Sequence, residues 1–155
     1  MKTLSTVLLL LFLVAPVLAQ EGQQLDLLLH KINALRAEHE LSPLVISKAL
    51  QKAAEAHNLE MTQEGYFDHV SPHKDHAYPE DRADQAGYEW TELYENIFES
   101  PQTDPQLATQ EAFEAWSNSS IHKQNMLAPK ARHAGLSLAT SKHGKHYFTL
   151  MVGNK

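Results

Sequence analysis

The chain has 155 residues, no cysteine, and 13 basic against 19 acidic side chains, a formal charge of −6 at pH 7. An acidic chain lacks the basic face that binds phosphates, so nucleic acid is excluded as an expected partner. The absence of cysteine excludes disulfides and a cysteine-linked lipid anchor, so packing must hold the fold.

Residues 1–19 have the pattern of an export signal. Lys2 precedes an apolar run from Val7 to Val14, and Val17 and Ala19 are the small residues of a cleavage site before Gln20. The apolar run is too short for a comfortable membrane span. We therefore predict a secreted or periplasmic protein that forms a single domain over residues 20–155, with no stable membrane span after signal cleavage.

Two amphipathic helices are predicted at the start of this domain. Between Gln24 and His39, leucine and isoleucine recur at steps of three and four residues. Asn33 and Arg36 lie beside this stripe, and we interpret them as structural side chains in preference to ligand contacts. Ser47 is the expected cap of the second helix.

The second helix is predicted to run to about Glu64, where Gly65 suits its C-terminal end. Its buried face includes His57, which we interpret as a hydrogen-bonded core histidine in preference to a ligand. The chain then enters Gly65-Tyr66-Phe67-Asp68-His69-Val70-Ser71-Pro72, an aromatic and turn-prone stretch around His69. His69 is the first candidate site residue.

The segment from Ser71 to Gly87 is predicted to be a long loop, because prolines and aspartates interrupt every periodicity. His69, His73 and His76 suggest a zinc site within it, but Pro72 argues against the helix that their spacing would need. His73 and His76 are therefore expected to be solvated.

Residues from Tyr88 to Glu99 alternate as in a strand. Glu95 shares a face with Leu93 and Ile97, where an ionised carboxylate is costly unless it is paired. A carboxylate that reaches water at the strand end is the alternative, and the alternation alone leaves both open.

A third helix is predicted to open at Asp104-Pro105 and to bury Trp116 on a face of small residues that reaches Ser119. His122 follows three residues later. The remainder, from His133 to Val152, reads as an antiparallel hairpin with Gly144 in its turn. His143 and His146 are expected to be exposed.

Several segments in this order resemble the CAP superfamily, also called SCP or cysteine-rich secretory protein/antigen 5/pathogenesis-related 1, in a compact cysteine-free bacterial form. They are Phe67-Asp68-His69-Val70-Ser71-Pro72, Glu95-Asn96-Ile97, Trp116-x-x-Ser119-x-x-His122 and Asn125-Met126-Leu127. The resemblance implies an α+β fold, a three-layer α-β-α sandwich with a central antiparallel sheet flanked by helices. It covers nearly the whole predicted domain.

The resemblance also implies a cleft lined by His69, Glu95, Ser119 and His122. In some members such a cleft binds a divalent metal, which here would be zinc first, held weakly by His69 and His122. Many eukaryotic members carry a second glutamate where this chain has Ser119, a poorer metal ligand that cannot act as a general base. A purely architectural cluster of His69, Glu95 and His122 is the alternative.

Three functions stay open. The first is a binding module that takes a metal and a lipid, sterol or peptide beside the aromatics Tyr66, Phe67, Tyr88 and Trp116. The second is a metal-assisted hydrolase of peptide or ester bonds with Glu95 as general base, although the sequence has no serine-hydrolase or zinc-protease motif. The third is an extracellular interaction protein that uses the loop from Ser71 to Gly87. Because these motifs are missing, we favour a function other than catalysis.

Overall fold

The computed structural model describes the backbone of residues 4–155 and the side chains from Ala19 onward. Its helices are α1 (Leu4–Glu38), α2 (Lys48–Glu64), α3 (Pro79–Gln85), α4 (Pro105–Asn118) and α5 (Ser120–Met126), with a single 3₁₀ turn at Lys74–His76. Its strands are β1 (Val45–Ile46), β2 (Glu92–Ser100), β3 (His133–Thr140) and β4 (His146–Asn154). Of the predicted export signal, the structure describes only the helical backbone from Leu4 and the side chain of Ala19. Cleavage of the signal stays a prediction.

The four strands form one sheet in the order β1-β3-β4-β2. Strands β2, β4 and β3 pair antiparallel, as predicted, and the two-residue β1 adds a parallel pair that makes the sheet mixed. Helices α1 and α4 pack on one face and α2 packs on the other, which confirms the three-layer α-β-α sandwich. Among the described helices, none combines the length and the apolar character needed to cross a membrane.

The face under α1 and α4 holds the main apolar core. Leu28 and Ile32 of α1, Trp116 of α4, and Phe148 and Leu150 of β4 belong to one fully buried cluster. The predicted stripes of the first and third helices are therefore confirmed, and burial of these large side chains is the main source of stability on this face.

Helix α2 lies directly on the opposite face. A Cβ atom added at Gly135 of β3 would lie 2.1 Å from the backbone carbon of Leu50, so only glycine permits this approach. The predicted ends of α2 are confirmed, with a cap from the Ser47 hydroxyl and Gly65 at φ 76°. His57 is buried, as expected of a core histidine.

The prediction of a continuous loop from Ser71 to Gly87 is wrong, because the 3₁₀ turn and α3 lie within it. Pro79 occupies the first turn of α3, where a missing N–H costs nothing. The carboxylate of Asp81 accepts a hydrogen bond from the Tyr78 N–H at 3.0 Å and so caps the helix. Residues that were interpreted as helix breakers thus start a helix.

The terminal hairpin is confirmed, with Gly144 at φ 78° in its turn. The exposure predicted for His146 is wrong, because β4 begins at this residue and its side chain is buried. Its Nδ1 lies 3.0 Å from the hydroxyl of Thr140, the paired residue on β3. His143 is exposed, as expected.

Candidate functional site

The site is built on two neighbouring residues of β2, an edge strand of the sheet. Glu95 and Asn96 point to opposite faces because side chains alternate along a strand. Glu95 holds the segment that carries His69, and Asn96 holds the helix that carries His122. One edge strand therefore positions both predicted histidines.

Glu95 is a buried and paired carboxylate, with a side chain only 2% exposed. Its Oε1 accepts a hydrogen bond from His69 Nδ1 at 2.9 Å, and its Oε2 accepts one from Arg82 Nη2 at 2.8 Å. Burial alone would raise the pKa of Glu95, but the His69 bond and the Arg82 charge outweigh it and hold this pKa below its usual value. Of the two sequence-based alternatives, the structure therefore has the paired carboxylate.

Arg82 is the residue that sequence reasoning missed. From α3 its Nη2 also donates to the carbonyl of His69 at 3.1 Å, and its Nη1 donates to the carbonyl of Ala77 at 3.0 Å. The guanidinium thus ties together α3, the His69 segment and β2. A signal existed, because one of the two alternatives for Glu95 was a buried carboxylate, which needs a cationic partner, and Arg82 lies in the segment just before the strand.

His69 presents one ring edge to the protein and the other outward. Its Nδ1–H donates to Glu95, which leaves Nε2 with the lone pair, and its side chain is 45% exposed. The Glu95 bond raises the pKa of His69 above its ordinary value. The segment is fixed behind the ring, where His57 Nε2 donates to the carbonyl of Asp68 at 3.0 Å.

His122 is held from the other face. Asn96 Nδ2 donates to its carbonyl at 3.0 Å, and Asn125 Nδ2 donates to Asn96 Oδ1 at 2.8 Å. Arg36 of α1 is fully buried and donates to the carbonyl of Met126 at 2.7 Å, which anchors the end of α5. Arg36 is thus a structural side chain, as predicted, and its partners are backbone carbonyls.

The electrostatics of His122 link it to His69. Burial lowers the pKa of His122, and the positive charge of a protonated His69 lowers it further. The imidazole of His122 is therefore more easily neutral than that of His69, whose pKa is raised. Ser119 caps α5, since its Oγ accepts from the His122 N–H at 3.5 Å, and so contributes by orienting that helix.

Two of the four aromatics proposed to line the cleft belong to the core instead. Trp116 is fully buried and donates from its indole N–H to the carbonyl of Ile97 at 3.1 Å. Tyr88 is 1% exposed and lies against Met151 and His133. Exposed apolar side chains next to the two histidines in sequence are Phe67, Val70 and Ile121.

A second ionic cluster fixes the rest of the segment to α2. The carboxylate of Glu60 accepts hydrogen bonds from the Tyr66 hydroxyl, the Ser71 hydroxyl at 2.5 Å and His76 Nε2 at 2.5 Å. Burial would raise the pKa of Glu60, but these bonds outweigh it and lower the pKa to about 2. His76 is therefore not simply solvated, whereas His73 is exposed and pairs with Glu64 at 2.8 Å.

The described side chains do not form a complete metal site. Among the described residues, no group of three or more histidine, cysteine, aspartate and glutamate side chains is arranged to hold one. Glu95 is already bonded to His69 and Arg82, so it would support a ligand and not act as one. A carboxylate that orients an imidazole through Nδ1 is the usual outer partner of a metal-binding histidine. Among the predicted metal ligands, His69 Nε2 and the His122 imidazole carry no side-chain hydrogen bond among the described residues, and these two would be the donors to a metal.

Comparison with known proteins identifies the family. The family model described as "CAP: Cysteine-rich secretory protein family" matches residues 29–152. The chain belongs to the CAP family. It is 34% identical over 109 residues to the uncharacterized protein YkwD of Bacillus subtilis (strain 168), a match that covers 70% of this chain and 40% of YkwD.

Solved CAP structures show the same fold. An extracellular protein containing an SCP domain from Bacillus anthracis strain Ames has a TM-score of 0.74 at 23% identity, over 87% of this chain and 41% of that one. An outer surface protein from Borrelia burgdorferi has a TM-score of 0.75 at 17% identity, over 86% and 93%. NaASP2, crystallised with Zn²⁺, has a TM-score of 0.59 at 16% identity, over 86% and 78%. This chain thus spans less than half the length of YkwD and of the Bacillus anthracis protein.

Proposed function

We propose that this protein is an exported CAP-domain binding module whose His69–His122 cleft takes a weakly held divalent metal, zinc first, and a lipid, sterol or peptide ligand. The observation that carries the proposal is the Glu95–His69 pair, which leaves His69 Nε2 pointing away from the carboxylate. The pKa of His122 is lowered, which favours the neutral imidazole that metals bind.

The histidine pair would leave coordination positions open. Two imidazoles satisfy half of the tetrahedral set that zinc prefers, so a bound metal would supply Lewis-acid positions for water or a ligand oxygen. The affinity of a metal for a site with only two protein side chains is expected to be low. It should also depend on pH, because each imidazole must be deprotonated to bind. In this chain Glu95 orients His69, and Asn96 orients His122 through its backbone.

Exposed apolar side chains near the histidines support an apolar or extended ligand. Phe67 is 43% exposed, Val70 is 45% exposed and Ile121 is 69% exposed. Phe67 and Val70 flank His69 in sequence, and Ile121 directly precedes His122. Apolar contact beside a polar or metal anchor is the usual composition of a small-ligand site. The export pattern of residues 1–19 supports an extracellular or periplasmic location.

The hydrolase alternative is less well supported. Both oxygens of Glu95 accept bonds from charged or polar donors, and its pKa is lowered. A carboxylate so stabilised is a weak general base. The interaction-protein alternative relies on a loop over residues 71–87. Arg82 and Glu60 fix this segment to β2 and α2, so a partner would have to bind it as an ordered surface and not as a free loop.

Calorimetric titration with zinc at slightly alkaline pH tests the metal proposal. The wild type is expected to release heat at one weak site, and the double variant His69→Ala, His122→Ala is expected to lose that heat. His143→Ala is the matched control, since this exposed histidine lies in the hairpin turn and should bind as the wild type does. Equal heats from the wild type and the double variant would contradict the metal site. Chelator-sensitive cleavage of a peptide or ester library that Glu95→Gln abolishes would favour the hydrolase.

A further inference from the structure

His69 lies in a segment between the end of α2 and the 3₁₀ turn, where the residues from Tyr66 to Val70 belong to no helix or strand. A metal-binding histidine on such a segment has a precise position only when neighbouring side chains hold it there. Three side chains from three different elements contact His69 or the residue before it. They are His57 of α2, Arg82 of α3 and Glu95 of β2.

Two of these side chains hold the main chain on the two sides of the His69 Cα atom. On the N-terminal side, His57 Nε2 donates to the carbonyl of Asp68 at 3.0 Å. On the C-terminal side, Arg82 Nη2 donates to the carbonyl of His69 at 3.1 Å. Glu95 holds the ring itself through the Nδ1–H of His69 at 2.9 Å. Together the three contacts fix both the main chain and the imidazole at this position.

His57 differs from the other two because it is a neutral donor. A carbonyl oxygen can only accept, so His57 Nε2 carries a proton and the neutral ring has its lone pair on Nδ1. His57 is 1% exposed, and its Nδ1 is buried with no hydrogen-bond partner among the described residues. Burial lowers the pKa of His57, which favours the neutral ring. Removing this donor therefore leaves no unpaired charge, whereas removing Arg82 or Glu95 would do so.

We propose that His57 is a positioning residue for His69 and acts on metal binding through the Asp68 carbonyl. This inference rests on the proposed zinc site and deepens it. The His57 bond keeps the main chain in the conformation in which His69 Nδ1–H reaches Glu95 and Nε2 stays free for a metal. Without this bond the segment has more conformations, and zinc must order them when it binds, which lowers the affinity.

Zinc calorimetry on two His57 variants tests the proposal, at a temperature well below the unfolding of each protein. His57→Leu removes the donor and should weaken zinc binding about tenfold, the lower end of what outer partners of metal ligands contribute. His57→Gln keeps an N–H donor at the end of a side chain of similar reach and should restore most of the affinity. Leu150→Ala is the matched control, because it weakens the core on the other face of the sheet and should bind zinc as the wild type does.

The tautomer of His69 gives a second measurement that needs no metal. In long-range proton–nitrogen NMR spectra at slightly alkaline pH, the wild type and His57→Gln should carry the His69 proton on Nδ1, where Glu95 accepts it. His57→Leu should shift towards the Nε2–H form that free histidine prefers. Unchanged zinc affinity or an unchanged tautomer in His57→Leu would overturn the proposal, and so would a loss in His57→Gln as large as that in His57→Leu. A wild type that bound no zinc would instead overturn the proposed function, and the tautomer alone would then decide whether His57 positions His69.

Discussion

The two faces of the sheet are built by different physics. On the face under α1 and α4, Leu136, Phe148 and Leu150 pack into a continuous apolar cluster. On the face under α2, the intervening residues Ser137 and Thr149 are buried polar side chains. Strands β3 and β4 therefore carry a continuous apolar side under α1 and α4, and a mixed side under α2 where these polar residues lie beside Tyr147 and Met151.

The polar face is held by specific partners. Asn58 of α2 donates to the Ser137 hydroxyl at 3.0 Å and accepts from the Thr149 hydroxyl at 2.6 Å. Glu95, on the same side of β2, has Arg82 and His69. Such networks stabilise a unique geometry only when every member is satisfied. The difference places Glu95 and His69 on the side held by hydrogen bonds and charges. Stability lost by substitution on that side should therefore depend on charge and pH.

Breaking the Arg82–Glu95 pair is expected to have the largest effect. Arg82→Met leaves a buried carboxylate without its cation and should lower the free energy of unfolding by about 3–5 kcal/mol, measured by urea unfolding. Adding Glu95→Gln should recover part of that loss, because the uncompensated charge is removed. A double variant that is as unstable as the sum of the two singles would contradict this account, since the pair would then not be coupled.

The apolar face should behave differently. Leu150→Ala removes a fully buried side chain and should cost about 2–5 kcal/mol through lost burial and a cavity. Because no titratable group is involved, the loss should be the same across pH when measured against the wild type. A loss that varied with pH would show that the two faces are coupled.

Acid should weaken the contribution of Glu60 on the polar side. Its pKa is about 2 in the fold against an ordinary 4.5, so its stabilisation is present above 4.5 and is lost as the pH falls towards about 2. Glu60→Gln should therefore cost about 1 kcal/mol at neutral pH, a value reduced by partial exposure, and little near pH 2. The measurement is urea unfolding of both proteins at several pH values. Glu55→Gln, exposed on the same helix, is the control; an equally pH-dependent cost there would refute a special role for Glu60.

Periodicity predicted most of the fold because the long elements bury one face each. The stripes of α1, α2 and α4 and the hairpin were predicted, whereas α3, α5, the 3₁₀ turn and the two-residue β1 were not. Short helices have too few residues for a periodic pattern, and Pro79 signals a helix start only when its position is known. The buried His146 was missed because a strand end has the same polar composition as a turn.

The residues of the candidate site could be predicted from the sequence, but the hydrogen bonds and ion pairs that hold them could not. The family resemblance pointed to His69, Glu95 and His122, and the structure brings the first two into contact. Arg82 and Asn96 act through tertiary contacts that no sequence spacing encodes. Trp116 was wrongly included among the aromatics beside the cleft. The alanines on its helix face already indicated a core residue and not a ligand contact.

The smallest expected effect is also the most direct probe of whether the two histidines face each other. In NMR titrations of the metal-free protein, the pKa of His69 should lie above 6.5 and that of His122 below it. His69→Ala should raise the pKa of His122 while leaving it below 6.5, because burial is the larger cause of the shift and persists. His143→Ala should leave the pKa of His122 unchanged. If His69→Ala also left it unchanged, the two rings would be too far apart to interact, and a metal shared between them would lose its basis.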